Sequence, residues 1–596
     1  MNKMKETDKK LKVLFWIITL ITPLIILILL EGGLRLLKYD ESKQNLFIQL
    51  PNSPQYVIAN PNFVTRYFPS FSPKIAPIPF LKEKPDDVYR IFVLGGSSTE
   101  GFPYNFYNSF SSRMQQKFNL ETQGIKVEVI NLGMTAVNSF VIWDMRKKIA
   151  KYEPDAVVLY AGHNEYYGSF GVGSKQYALG NSISLKRLIL RLKGFYLYQW
   201  LEGLVQQDNP VDSDRTMMSL VVKDSQIEYQ SEVFKEGLDQ FKINITDFIE
   251  FYAKKGTSVY IGSLASNLKD QKPLGENNNS VEAYTLGSKL LSEGKKDSAL
   301  IKFREAKDLD EIRFRAPSSI NKIIKDIADK TNSFFVDIEQ VALENAKEGI
   351  PGEDLFIDHL HPNWRLNQLI GEEFFKNIIR NKKIQKYYLP NELSTIIDIS
   401  QFEKTYASIA ADRLESGYPF EKGLTGSQEA SVFKKKYEKY LSLSFEDSLA
   451  ARTWLELKPV SSALRRVVQR DIELRDTLAL VKNSIALKNW FYFNEELLKV
   501  GISHSVNSRK LDDYNVTLLH SILNLRREDT YFVNLLAGIY MVNKDFKRAK
   551  YWLSESESIE PNSSELLLNY SRYYILQGDT LRATSYLRKY RSSINR

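Results

Sequence analysis

The sequence predicts an α/β domain built on a parallel sheet, preceded by one membrane-spanning helix and followed by a helical domain. Three observations point there. Short apolar runs rich in strand formers alternate with stretches of helical character. An uncharged run of eighteen residues, Val13 to Leu30, lies near the N-terminus, and a helical pattern recurs near the C-terminus. At 596 residues the chain exceeds what one hydrophobic core supports, so two or three folded units are expected. Hydrophobic residues at 43% and charged residues at 26% are ordinary globular values. The net charge of +9 is spread over 81 basic and 72 acidic residues without a block of like sign, which reads as solvated surface and implies no nucleic-acid partner. With no cysteine, disulfides, thiol nucleophiles and cysteine-ligated zinc are excluded.

Val13 to Leu30 (VLFWIITLITPLIILILL), with a mixed stretch extending to Leu37, approaches the roughly 20 residues that cross a bilayer core. Lys3, Lys5, Lys9, Lys10 and Lys12 precede it, so the positive-inside bias keeps residues 1–12 cytoplasmic and sends the rest outward, to the periplasmic side in a Gram-negative cell. Glu31-Gly32-Gly33-Leu34-Arg35 offers no small-x-small cleavage site, which favours an uncleaved anchor over residues 13–37. Residues 38–85 carry eight of the twenty prolines between Pro51 and Pro85, a composition that disfavours helix and suggests an extended stalk or an arm wrapped on the next domain.

The α/β pattern fills residues 86–386. Tyr89–Leu94, Lys126–Leu132 and Ala156–Ala161 read as its first strands, and Ser258–Ile261 and Phe334–Ile338 as later ones. Short apolar strands separated by helical segments imply a parallel sheet covered on both faces, with reactive loops at the strands' carboxyl ends. Helical insertions are expected near 171–240 and 275–312. Within the first, Ser182–Gln206 is basic, apolar and aromatic at near-helical spacing, interrupted by Gly194; it reads as an insertion packed on the domain, with a lid or a helix on the bilayer surface as alternatives. Residues 387–596 form the helical domain, and Tyr387 to Arg527 reads as largely helical without a clean repeat. At about 530–594, Leu536, Ala537, Tyr540, Ala549, Leu553 and Pro561 fall at the spacings of a tetratricopeptide helix pair. Its 34-residue period carries the register on to Tyr570, Ser571, Tyr574, Ala583 and Leu587. A single unit of the same kind lies at Gly287, Leu290, Ala299, Phe303 and Ala306.

Chemistry concentrates at three strand-end segments. Gly95-Gly96-Ser97-Ser98-Thr99-Glu100-Gly101 places a serine between a strand and a helix, where its hydroxyl can meet solvent beside backbone amides that favour negative charge. A phosphate cradle or a plain helix cap would look similar, but the Lys-Ser/Thr of a P-loop and the glycine spacing of a dinucleotide fingerprint are both missing. Phe356-Ile357-Asp358-His359-Leu360-His361-Pro362-Asn363 holds an aspartate three residues before a histidine, able to accept the Nδ1 proton and leave Nε2 free for a serine hydroxyl. Of five histidines in the chain, two are here and His163 is in Gly162-His163-Asn164-Glu165; Asp358, His359, His361 and His163 are also the one candidate metal set, a reading ranked below the catalytic one.

Four segments in order, GGSSTEG, NLGMTAVNS, GHNE and DHLHP, resemble the conserved blocks of the SGNH (GDSL-like) hydrolase family across roughly Tyr89 to Trp364. The resemblance implies an SGNH-type three-layer α/β/α domain with no metal and no cofactor. It makes Ser97 the nucleophile, His361 the general base and Asp358 the residue that orients the imidazole. The amides of Ser97 and Ala136 and the side chain of Asn164 become the oxyanion donors. The chain departs from the family at Gly96 and Glu165, each in place of an aspartate, and at Ala136 in place of a glycine, a change tolerated provided positive φ is not required there. The implied activity is hydrolysis of acyl esters at the outer membrane face, with acylated glycan as one substrate class and O-acyl transfer as a variant. The competing expectation is a non-catalytic envelope scaffold whose helical repeats bind a protein partner.

Overall fold

The computed structural model describes residues 2–594 except 38, 40–42, 51–52, 69–72, 123–124, 175–181, 206–217, 219–225, 381–397, 457, 491–518, 520–522 and 524–528. Helix α1 (Asn2–Leu36) contains the stretch Leu14–Leu36, long and apolar enough to cross a membrane. Its leucines and isoleucines from Leu14 to Leu30 are exposed, as expected of a segment that is apolar on every side. The proline-rich segment lies against the domain that follows. Strands β1 (Phe47–Leu50), β2 (Ser53–Ala59) and β3 (Phe80–Leu81) form a small antiparallel sheet. Phe47 and Phe80 meet edge to face at 5.1 Å, and both rings pack on Phe92 and Tyr152. Pro61 opens a 3-10 turn, Pro61–Arg66, at the position where its missing N–H is no loss, and Asn60 caps it.

The main sheet holds five parallel strands: β4 (Val88–Gly95), β5 (Lys126–Asn131), β6 (Ala156–Tyr160), β7 (Ser258–Gly262) and β8 (Ser333–Val336), in the order β5-β4-β6-β7-β8. Helix α2 (Ser97–Glu100) is a single turn after β4; α3 (Phe110–Glu121) packs with the helix Trp364–Ile379 on one face of the sheet. Helix α4 (Ser139–Ile149), with the helices Glu232–Ala253 and Ser318–Lys330, covers the other. Every residue of β4 and β6 is buried, which is why these strands read as continuous apolar runs. The fold class expected from the sequence therefore stands: a three-layer α/β/α domain, a helical C-terminal part and an apolar N-terminal helix. The first strand of the sheet sits between the second and third, so the winding reverses between β4 and β6. In open α/β sheets that reversal leaves a crevice at the strands' carboxyl ends.

One detail differs from the sequence expectation. The last strand stops at Val336, because Asp337 caps a helix, Ile338–Asn345, by accepting the Gln340 amide; Ile338 belongs to that helix. Of Tyr387 to Arg527, helices are seen over Gln401–Leu414, Gly426–Glu438, Phe445–Leu455, Val460–Leu474 and Thr477–Trp490, while 387–397 and nearly all of 491–527 lie outside the described residues.

The insertion after β6 forms two helices, α5 (Ile183–Leu192) and α6 (Tyr196–Val205), parted at Gly194; Gln206 lies outside the described residues. The second insertion is a helix pair, Asn278–Ser292 and Lys296–Leu309, in which Gly287 faces the ring of Phe303 so closely that an added Cβ would lie 3.1 Å from it. At the C-terminus stand Thr530–Val542, Phe546–Ile559, Ser564–Leu576 and Thr580–Ile594, with Ala537, Ala549, Ser571 and Ala583 buried where helices approach. The Ser571 hydroxyl donates to Ala583 O at 2.9 Å, a contact that a larger residue would prevent.

Phe80→Ala removes the ring on which Phe47, Phe92 and Tyr152 converge and is expected to cost about 3–5 kcal/mol. Thermal unfolding of the variant should show an earlier transition; a melting profile identical to the parent's would mean that the arm does not share the core.

Candidate active site

Ser97 is placed by a close approach of backbone. A Cβ at Gly95 would lie 2.1 Å from both Thr99 Oγ1 and Tyr160 O, atoms joined by a 2.9 Å hydrogen bond, so glycine alone lets the chain turn there from β4 into α2. The turn is ended by Gly101 in the left-handed region, φ 111°. Ser97 is buried apart from 8% of its surface, and its Oγ lies 2.7 Å from His361 Nε2. The neighbouring Ser98 buries its hydroxyl with no hydrogen-bond partner among the described residues.

Asp358 does two jobs. Its Oδ1 accepts the amides of Leu360 (2.9 Å) and His361 (2.8 Å), which folds the loop back on itself, and its Oδ2 lies 2.5 Å from His361 Nδ1. Burial alone would raise the Asp358 carboxyl, but the fields of His361 and then His359, with the His361 hydrogen bond, hold it well below the usual carboxylate range. With Asp358 ionised, Nδ1 is assigned the proton and Nε2 the lone pair that accepts from the Ser97 hydroxyl. Phe102 packs edge-on against the imidazole at 4.6 Å and limits its rotation.

The remaining histidines sit close by. His359 is enclosed by the rings of Phe314, Phe420 and His361; its Nδ1 is 3.4 Å from Asp358 Oδ1, too long for a good hydrogen bond, and burial lowers its pKa. His163 accepts the Ala316 amide at Nδ1, and burial pushes it down to about 3, so it stays neutral. Asp358, His359 and His361 bring three potential ligand atoms within 4.8 Å, but the Asp358 and His361 atoms already face each other and Ser97.

Asn164 and Ala136 lie on two further loops, after β6 and β5. The Asn164 Nδ2 atom stands 2.5 Å from where a Cβ on Gly96 would be, so the missing side chain at Gly96 makes room for this amide beside the serine loop. Ala136 corrects the condition set on its tolerance: its φ is 61°, in the left-handed region that a glycine would occupy freely. Surrounding contacts impose it. Asn131 accepts the Gly133 amide and donates to Thr99 O, the Thr135 hydroxyl donates to Glu100, and Ile75 of the arm pairs with Met134.

Further residues support the site from outside the assigned set. Glu165 accepts from the Ser139 amide (3.0 Å) and hydroxyl (2.8 Å), tying the Asn164 loop to the start of α4 two residues beyond Val137. Burial pushes its carboxyl up to about 7 against the lowering hydrogen bonds from Ser139 and Gln240 and the charge of Lys186. Glu100 is likewise raised to about 7 by burial, opposed by Thr135, Lys74 and His361. From the helical region, Phe420 reaches His359, Glu403 accepts from Asn108 at 2.8 Å, and Glu415 is raised to about 7 by burial and then by the charge of Asp358. Only Glu165 had a signal, since it occupies a motif position where an acid is expected.

Fold and site together define the class of an α/β/α protein with a Ser-His-Asp contact chain at the carboxyl ends of its strands. No family model and no curated protein matches the chain. Solved structures similar to about half of it are acetylxylan esterases and GDSL-like lipases or acylhydrolases. One is an acetyl xylan esterase at 14% identity and TM-score 0.27, covering 49% of this chain and 100% of that one. Another is an acetylxylan esterase from Geobacillus stearothermophilus at 13% and 0.26, covering 49% and 94%. A GDSL-like lipase from Bacteroides thetaiotaomicron stands at 12% and 0.26, covering 52% and 92%. Similarity at this level carries no argument about activity, which has to rest on the residues of this chain.

Glu165 is expected to make stability depend on pH. A carboxyl raised to about 7 in the folded state contributes stability fully present below the ordinary carboxylate value of 4.5 and lost as pH rises through about 7. Over that window the cost approaches about 1.4 kcal/mol per pH unit. Glu165→Gln removes this component, so the stability difference between variant and parent in denaturant titrations should shift with pH in that window. A constant difference would show that Glu165 titrates normally.

Proposed function

We propose that the chain is a membrane-anchored serine esterase that hydrolyses or transfers acyl groups outside the cytoplasm. The observation that carries the reading is the continuous contact from Asp358 through His361 to Ser97, at 2.5 Å and 2.7 Å, with the Asn164 amide beside the serine loop. In the proposed reaction His361 Nε2 takes the Ser97 proton as Oγ attacks the ester carbonyl. Asp358 stabilises the imidazolium without taking the proton itself. The amides of Ser97 and Ala136 and the Asn164 side chain are the donors proposed for the oxyanion. His361 then gives its proton to the departing alkoxide, and an acyl-Ser97 ester remains. Water, deprotonated by His361, attacks the acyl carbonyl, and His361 returns that proton to Ser97 Oγ as the acid departs; a bound sugar hydroxyl in place of water gives O-acyl transfer by the same steps.

The location is supported by the apolar stretch Leu14–Leu36 of α1, which is long enough to span and is preceded by five lysines, so positive-inside bias favours an outward-facing enzyme domain. Acylated envelope carbohydrate is the substrate class that suits that address. The last four helices support a tetratricopeptide-like reading, because Thr530 and Ser564 begin alternate helices one 34-residue period apart. A groove between them, lined by Leu535, Ile539, Leu568 and Ile575 with Asn534 and Asn569, suits an extended peptide of a partner protein.

A fluorophosphonate probe is expected to label the parent chain and not Ser97→Ala, with the variant's fold checked by its unchanged circular dichroism. Labelling of both alike would contradict the assignment. Asn164→Ala should lower kcat by roughly a hundredfold or more on a short-chain ester, the usual effect of losing one oxyanion donor.

A further inference from the structure

The insertion after β6 presents an apolar surface that no described residue covers. Helix α5 is fixed to the domain on one side: Ile189 and Leu190 are buried, Lys186 bonds Gln240, and Arg66 donates to Leu190 O. On its other side Leu185, Leu188 and Leu192 are exposed at spacings of three and four, a single stripe along the helix. Helix α6 continues the pattern with Trp200, Leu201 and Leu204 exposed, Leu204 to 66%. Such residues on a soluble surface leave apolar area in water that would normally be buried.

The position of α6 says what covers it. Glu31, one residue past the uncharged run of α1, accepts the Leu197 amide at 2.8 Å, one of the orphan donors in the first turn of α6. The Arg35 guanidinium lies over the Tyr196 ring at 5.3 Å, and its Nε also bonds Glu31. From Leu14 to Leu30 the helix rises about 25 Å, close to the thickness of a hydrocarbon core, so the turn from Glu31 to Arg35 falls at headgroup depth. Helix α6 is therefore held at that depth too. Leu36 and Leu37, just past that turn, are exposed to 88% and 80%. Of the α5 cations, Arg187 is tied to the domain by Asp247 and Asn244, while Arg191 is exposed, its guanidinium 5.6 Å from the Trp143 ring.

We propose that α5 and α6 lie on the outer surface of the bilayer, with Leu185, Leu188, Leu192, Trp200, Leu201 and Leu204 inserted at the headgroup boundary. The hairpin then acts as a second, monotopic contact that fixes the orientation of the catalytic sheet on the membrane. This rests on the reading of α1 as a bilayer-spanning anchor.

The chain has no cysteine, so single cysteines report position without a background. Leu24→Cys, Leu188→Cys and Leu204→Cys, with Ile301→Cys on the distal helix pair as control, are labelled with an environment-sensitive fluorophore. The full-length protein is reconstituted in phosphatidylcholine nanodiscs with or without bromine near the top of the acyl chains. All three α1, α5 and α6 positions should lose emission to the brominated lipid, and position 301 should not. Quenching at 24 with none at 188 or at 204 overturns the proposal and leaves the anchor intact. No quenching at 24 overturns the anchor reading itself. A blue-shifted but unquenched label at 188 or 204 means that protein rather than lipid covers the face, which also overturns the proposal.

Discussion

One contact organises this protein: a hydroxyl on Ser97 and a ring nitrogen on His361, separated by 264 residues of chain and 2.7 Å of space. A hydrogen bond of that length needs both loops held to within a fraction of an ångström. The parallel sheet supplies the hold by bringing the ends of β4 and β6 to the reversal of winding, where Ser97 and Asn164 emerge side by side. The His361 loop closes against them from beyond the last strand. Its rigidity comes from Asp358, whose one carboxylate accepts two loop amides and meets the imidazole. A neutral group at that position would lose the field that keeps His361 oriented.

Around this centre three carboxyl groups are drawn wholly or partly out of water. Glu100, Glu165 and Glu415 are all raised to about 7 by burial. Each is bonded to, or sits beside, a loop that carries a site residue: Glu100 to Thr135 before Ala136, Glu165 to Ser139 beyond it, Glu415 beside Asp358. The pattern is that of local strain and desolvation accepted at a site and offset by the surrounding core. The left-handed backbone at Ala136 belongs to the same account, since contacts on both sides of it dictate a conformation that its side chain disfavours.

Much of this was legible in the sequence for physical reasons. Strands buried on both faces leave unbroken apolar runs, and β4, β5, β6 and β7 were found to within a residue or two. The turn at Gly95 and Gly96 and the spacing of Asp358 and His361 are local and therefore visible. What escaped was non-local. Nothing in residues 38–85 announces that Phe47 and Phe80 would join the core through Phe92, and nothing near Phe420 marks it as a neighbour of His359. Strand β8 ends at Val336 rather than Ile338 because Asp337 acts as a helix cap, a role that competes with strand continuation only once the tertiary packing is set. The positive φ of Ala136 depends on Asn131, Glu100 and Ile75 together, and no reading of its own neighbours would reveal it.

The most direct measurement of the central claim is the identity of the acylated residue. A slow ester turned over by the full-length protein and quenched in acid, then digested and mapped by mass spectrometry, should place the acyl group on Ser97. An acyl group on Ser98 or on any other residue, with Ser97 unmodified, would contradict the account.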